Sequence, residues 1–212
     1  MDMDNYNKDD RKSRGMRDIL DSLSQTQPGS HSIVVYPNLV TFRQIYSNYT
    51  DRELRNNRIV LILPYYETVQ SVKNFLSLAN VDVSEFQRMG SLSIIDGNEA
   101  FFNHQGTDDT TDYDTHANNE RGNIVSLMRI MQKQALKLGK EGMTIILDLG
   151  CFFTQSLYDL MLYEKSIPLI FKNTTLKQLC MYHQRDFDVR FTNSQQASLL
   201  DQHARSIIMV DK

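Results

Sequence analysis

Short apolar runs and helical stripes alternate along most of this chain. Ile33-Val34-Val35-Tyr36 is stopped by Pro37, Arg58-Ile59-Val60-Leu61-Ile62-Leu63 by Pro64, and Leu92-Ser93-Ile94-Ile95 by Asp96-Gly97. Met143-Thr144-Ile145-Ile146-Leu147 ends on Asp148, and two late strands are predicted over Leu176–Tyr182 and Ser206–Val210. Such continuous runs suit strands buried on both faces. Between them the apolar residues fall at helical spacing: Leu39, Phe42, Ile45, Tyr46 and Tyr49, then Val69, Val72, Leu76 and Ala79. A longer stripe, Ile124, Leu127, Met128, Met131, Ala135 and Leu138, closes at Gly139, and another runs through Phe153, Leu157, Leu160 and Met161. A last helix is predicted over about residues 194–203. This alternation predicts an α/β fold: a mainly parallel sheet of about six strands with helices on both faces.

Two segments depart from the rhythm. Residues 1–29 read as a flexible tail ahead of a single domain over 30–212. Within the tail Met16, Ile19, Leu20 and Leu23 mark a short amphipathic helix, a cap for the domain or a docking and dimerisation element. Residues 103–120 carry Asp108, Asp109, Asp112, Asp114 and Glu120 with no basic residue, flanked by His104 and His116. Their composition predicts a mobile acidic insertion, and Tyr113 stands where a calcium loop counted from Asp108 needs glycine.

Composition narrows the classes. A 41% hydrophobic and 23% charged content is that of an ordinary globular protein, and a net charge of -3 gives no basic footprint for nucleic acid. No apolar run approaches a membrane span, and the polar start Met1-Asp2-Met3-Asp4 lacks a signal-peptide core. Cys151 and Cys180 are too few for a disulfide framework. A cytoplasmic protein that binds neither membrane nor nucleic acid directly is expected.

Chemistry is expected at the carboxyl ends of the strands, where open parallel sheets bind ligands. Those ends read Tyr36, Tyr65-Tyr66, Asp96, Asp148 and Tyr182-His183. No glycine lies between Gly29 and Gly90, and neither GxxxxGK[ST] nor GxGxxG occurs. A phosphate loop is therefore missing after the first strand, and tight ATP binding or hydrolysis is not expected. Asp148, at the end of an apolar strand, has the look of a magnesium-holding acid, but without a phosphate site its expected role is to cap the next helix or bond loop amides. The aromatic rim suits a small apolar or aromatic ligand, with Tyr36 and Tyr182 as walls and Asp148 and Arg185 as orienting groups in one cavity. Alternation puts Cys180 and Tyr182 on one face of their strand and His183 on the other, so no local Cys–His pair is set up. His31, at the start of the first strand, reaches other groups only through the fold.

Several of these residues form an ordered set. Gly29-Ser30-His31-Ser32-Ile33-Val34-Val35-Tyr36, Tyr163-Glu164, Leu179-Cys180-Met181-Tyr182 followed by Arg185 and Phe187, and His203 resemble, in order and spacing, the MEDS domain of methanogens, methylotrophs and DcmR-type regulators. The resemblance spans about residues 29–210. It implies a RecA/KaiC-like fold without a working nucleotide site, used for sensing, in which relatives join histidine-kinase or DNA-binding output domains. This chain differs where Tyr36-Pro37 and Asp148-Leu149-Gly150 end their strands, and in its acidic insertion.

The expectation is a non-catalytic sensory domain without a cofactor. It binds a small organic molecule through candidates His31, Tyr36, Tyr65, Asp148, Cys180, Tyr182 and Arg185. It then signals in trans to a protein such as a histidine kinase or transcription regulator, with a homodimer as one arrangement. A degenerate nucleotide- or metal-dependent enzyme using Asp148 and a ligand-free interaction module are the alternatives.

Overall fold

A computed structural model describes residues 16–102, 116–170, 174–203 and 207–209. The elements run α1 (Met16–Ser24), β1 (His31–Tyr36), α2 (Leu39–Arg55), β2 (Arg58–Leu63), α3 (Val69–Leu78), α4 (Val83–Arg88), β3 (Leu92–Ile94) and α5 (Gly97–Phe102). They continue with α6 (His116–Lys137), β4 (Gly142–Asp148), a 3-10 turn (Leu149–Cys151), α7 (Phe152–Gln155) and α8 (Leu157–Ile170). The chain finishes with β5 (Leu176–His183), α9 (Gln184–Arg190), α10 (Asn193–Gln202) and a short strand β6 (Ile207–Met209). Part of the acidic segment, residues 103–115, lies outside the described residues, and with it the mobility expected there.

All described strand pairs are parallel. The order is β3-β2-β4-β5-β1, with β6 pairing along the outer edge of β1. β4 and β5 thus lie between β1 and β2. The chain leaving β1 crosses in one direction through α2, and the chain leaving β5 crosses in the other through α9 and α10. The neighbours β1 and β5 therefore flank a topological switch point.

Strand alternation divides the core into two layers. One layer packs Ile33, Val35, Leu61, Ile145, Cys180 and Tyr182 against residues of α5 to α10. The other packs Val34, Tyr36, Ile62, Ile146, Leu179 and Met181 against α1 to α4. The segment expected to be a tail supplies α1 to this second layer: Ile19 and Leu23 are fully buried, and Arg52 of α2 donates to the Leu20 carbonyl at 2.7 Å. Deleting α1 would uncover the apolar side of α2.

After β1 the chain enters α2 directly. Asn38 is the N-cap, and its side chain accepts the Thr41 N–H at 3.0 Å. Tyr36 stacks on Phe42 with ring centroids 4.8 Å apart. A side chain of the protein itself thus occupies the helix end that a phosphate loop would present to an anion.

Candidate functional site

Two polar assemblies follow from this frame, one open at the carboxyl ends of the strands and one buried beneath α8.

The open one is a concavity of about 540 Å³ lined by Tyr65, Tyr66, Gly150, Phe153, Thr154, His183 and Arg185, with Leu39, Asp186, Val189 and Arg190 at its borders. Its residues follow β1, β2, β4 and β5, so it sits at the switch point, where parallel α/β sheets hold ligands. Asp148 builds the floor from below. It is 1% exposed, and its Oδ2 accepts the N–H groups of Tyr66 at 3.0 Å and Tyr65 at 3.2 Å, while Oδ1 accepts that of Gly150 at 3.3 Å. The helix-capping and loop-amide role expected for a strand-end aspartate is the one observed. Gly150 lacks a Cβ because there is no space for one: it would meet the rings of Tyr66 at 2.5 Å and Tyr65 at 2.6 Å. The rim is polar. Tyr66 O–H donates to Asp186, whereas exposed Arg185 has no carboxylate partner among the described residues.

Burial raises the Asp148 carboxyl to about 6, although the three backbone N–H groups pull the other way. The folded chain therefore takes up a proton before the unfolded chain does, and the stability gained that way disappears as pH rises from about 4 to about 6. Relative to an Asp148→Asn variant, the wild type is expected to lose on the order of 2–3 kcal/mol between about pH 4 and pH 7. Urea unfolding of both proteins across that range checks it, and a constant gap would contradict it.

The buried assembly joins side chains from β1, α8, β5 and the end of α10. Glu164 lies on the inner face of α8, in line with the apolar residues Leu160, Tyr163 and Ile167, and is fully buried. Its Oε2 stands 2.9 Å from His31 Nε2, 3.4 Å from His203 Nε2 and 3.6 Å from Cys180 Sγ. Its Oε1 accepts the Tyr182 O–H. His31 Nε2 also lies 3.1 Å from Cys180 Sγ and 3.1 Å from His203 Nε2. Burial alone would raise the Glu164 carboxyl, but the charges and hydrogen bonds of the two histidines hold it far below the usual range. Burial, with Glu164 beside it, pushes the Cys180 thiol well up. Among the described residues this is a group of nitrogen, sulfur and oxygen donors with metal-ligand spacing.

The sequence-derived candidates separate accordingly. Tyr65 and Arg185 line the concavity, with Asp148 beneath it. His31, Cys180 and Tyr182 gather around Glu164 on the α8 side of the sheet. Tyr36 is buried in the opposite layer, on Phe42. The single cavity expected for Tyr36, Asp148, Tyr182 and Arg185 does not form. β1 and β4 turn Tyr36 and Asp148 towards α2, whereas β5 turns Tyr182 towards α8. Arg185 does not pair with Asp148, whose oxygens are held by backbone N–H groups.

The fold is a parallel α/β domain with a concavity at its strand ends. A family model described as MEDS: MEthanogen/methylotroph, DcmR Sensory domain matches residues 30–198. The chain belongs to this family of sensory domains, and the match includes the whole concavity and all of the buried assembly except His203. No curated protein matches the chain in sequence. No described helix is long and apolar enough to cross a membrane.

Proposed function

We propose that this chain is a non-catalytic sensory domain that receives a small organic anion in the strand-end concavity and passes the signal to a protein partner. The guanidinium of Arg185, without a carboxylate partner among the described residues and beside an apolar and tyrosine-lined wall, carries this reading. An arginine fork suits a carboxylate, and Phe153, Tyr65 and Leu39 suit a short hydrocarbon part. The insertion of β4 and β5 between β1 and β2 goes with a RecA/KaiC-like ancestry whose phosphate loop has been lost. The partner, a histidine kinase or a transcription regulator, would read α9, which carries Arg185 and directly follows β5. Function in the cytoplasm fits this role.

A thermal-shift screen of small organic acids, followed by calorimetry on the best binder, tests the proposal. Arg185→Glu is expected to weaken binding by at least tenfold, because it replaces attraction by repulsion across the concavity. Equal affinity in the variant would place the ligand elsewhere.

A further inference from the structure

We propose that His31, Glu164, Cys180 and His203 form a closed tetrahedral site for a divalent transition metal of the zinc type. The site is separate from the strand-end concavity and does not depend on a ligand binding there.

The geometry comes first. Tetrahedral zinc bonds of about 2.0–2.3 Å set neighbouring donor atoms roughly 3.3–3.7 Å apart. Five of the six separations among His31 Nε2, His203 Nε2, Cys180 Sγ and Glu164 Oε2 run from 2.9 to 3.6 Å, and all four atoms lie within 4.8 Å of one another. To reach a coordination shell the shorter contacts must open by a few tenths of an ångström, and a separation as wide as 4.8 Å must close by about 1 Å.

Proton accounting points the same way. His203 Nδ1 lies 2.7 Å from the Leu199 carbonyl oxygen, which can only accept, so Nδ1 carries the hydrogen. In the neutral ring Nε2 is then a lone pair facing His31 Nε2 at 3.1 Å and Glu164 Oε2 at 3.4 Å. An imidazole anchored by Nδ1–H to a carbonyl and presenting Nε2 is the usual orientation of a metal-ligating histidine. Tyr182 O–H engages the other oxygen of Glu164 and leaves Oε2 for the cation. Gln178 Nε2 donates to Cys180 Sγ at 3.2 Å, a contact that the thiolate formed on metal binding would keep.

Charge and softness select the metal. A thiolate and a carboxylate cancel a divalent ion, so the filled site is neutral where Glu164, Cys180 and His203 have at most 1% exposure. Two imidazoles and a thiolate favour zinc-like ions over magnesium or calcium. Four protein ligands leave no open position, which assigns the ion to structure or metal sensing and not to catalysis. The ligands come from β1, α8, β5 and the end of α10, so a bound ion would fasten two helices of the α8-side layer, α8 and α10, to the sheet.

The test is a Co2+ titration of the chelator-treated full chain. Wild type is expected to take up about one ion per chain, with the visible bands of tetrahedral cobalt and a thiolate charge-transfer band. Zn2+ should displace the cobalt and raise the melting temperature. Cys180→Ser, which preserves the shape of the core, should lose the charge-transfer band, and His203→Gln should lose tight binding. No stoichiometric uptake by wild type, or an unchanged cobalt spectrum in Cys180→Ser, would overturn the site. Either result would leave the organic-anion screen and its Arg185 variant unaffected.

Discussion

Glu53→Ala is expected to destabilise the folded chain by about 3–5 kcal/mol, the usual consequence of removing one partner from a buried ion pair. Glu53, on the inner side of α2, is fully buried. It lies 3.1 Å from Arg58 Nε and 3.2 Å from Lys177 Nζ and accepts the Thr144 O–H. Arg58 also donates to the carbonyls of Met143 and Thr175. One carboxylate thus serves the first residue of β2, the second of β5 and the third of β4. Alanine leaves two cations, 4% and 7% exposed, without a counter-charge. Salt should change the effect little, because buried pairs are poorly screened. Gly142 fits the same place: φ is 142°, and a Cβ would come 2.4 Å from the Thr175 oxygen. Urea unfolding of Glu53→Ala checks the expectation, and a loss under about 1 kcal/mol would mean that water reaches the cations.

Glu164→Ala should have an effect of similar size, about 3–5 kcal/mol, in chelator-treated protein. The substitution strips the acceptor from the Tyr182 O–H and from the two imidazoles, and it opens a cavity between α8 and β5. Each orphaned polar group adds about 1–3 kcal/mol of desolvation. Glu164→Gln keeps the volume and one acceptor and should lose less. Denaturation curves for the pair separate polar loss from cavity formation. Equal stability of wild type and Glu164→Ala would contradict the described network.

The strands were legible because continuous apolar runs ended by proline, aspartate or glycine have few other readings. Helices α4, α5 and α9, of six, six and seven residues, were not, since so short a span holds no repeat of the helical period. The concavity was half visible. The strand-end rule located Tyr65, Tyr66 and His183, and a turn past Tyr182 pointed to Arg185, but the rule does not give the phase of a strand that is apolar on both faces. Tyr36 and Tyr182 look alike in sequence, and the structure sends them to opposite layers. Glu53 was hidden in the charged run Asp51-Arg52-Glu53, which reads as solvated surface. Glu164 and His203 appeared only through the family resemblance. A physical signal for Glu164 was present: it is an acid in register with Leu160, Tyr163 and Ile167 on an apolar helix face, where only a buried partner makes it tolerable.

The central claim is that the strand ends receive the signal. Hydrogen–deuterium exchange with and without the best-binding organic acid tests it most directly. The account predicts slower exchange in residues 64–67, 149–154 and 183–190, the segments around the concavity, with the edge strand β3 unchanged. Protection confined to α3 and α4, or binding that leaves exchange in all three segments unaltered, would contradict it.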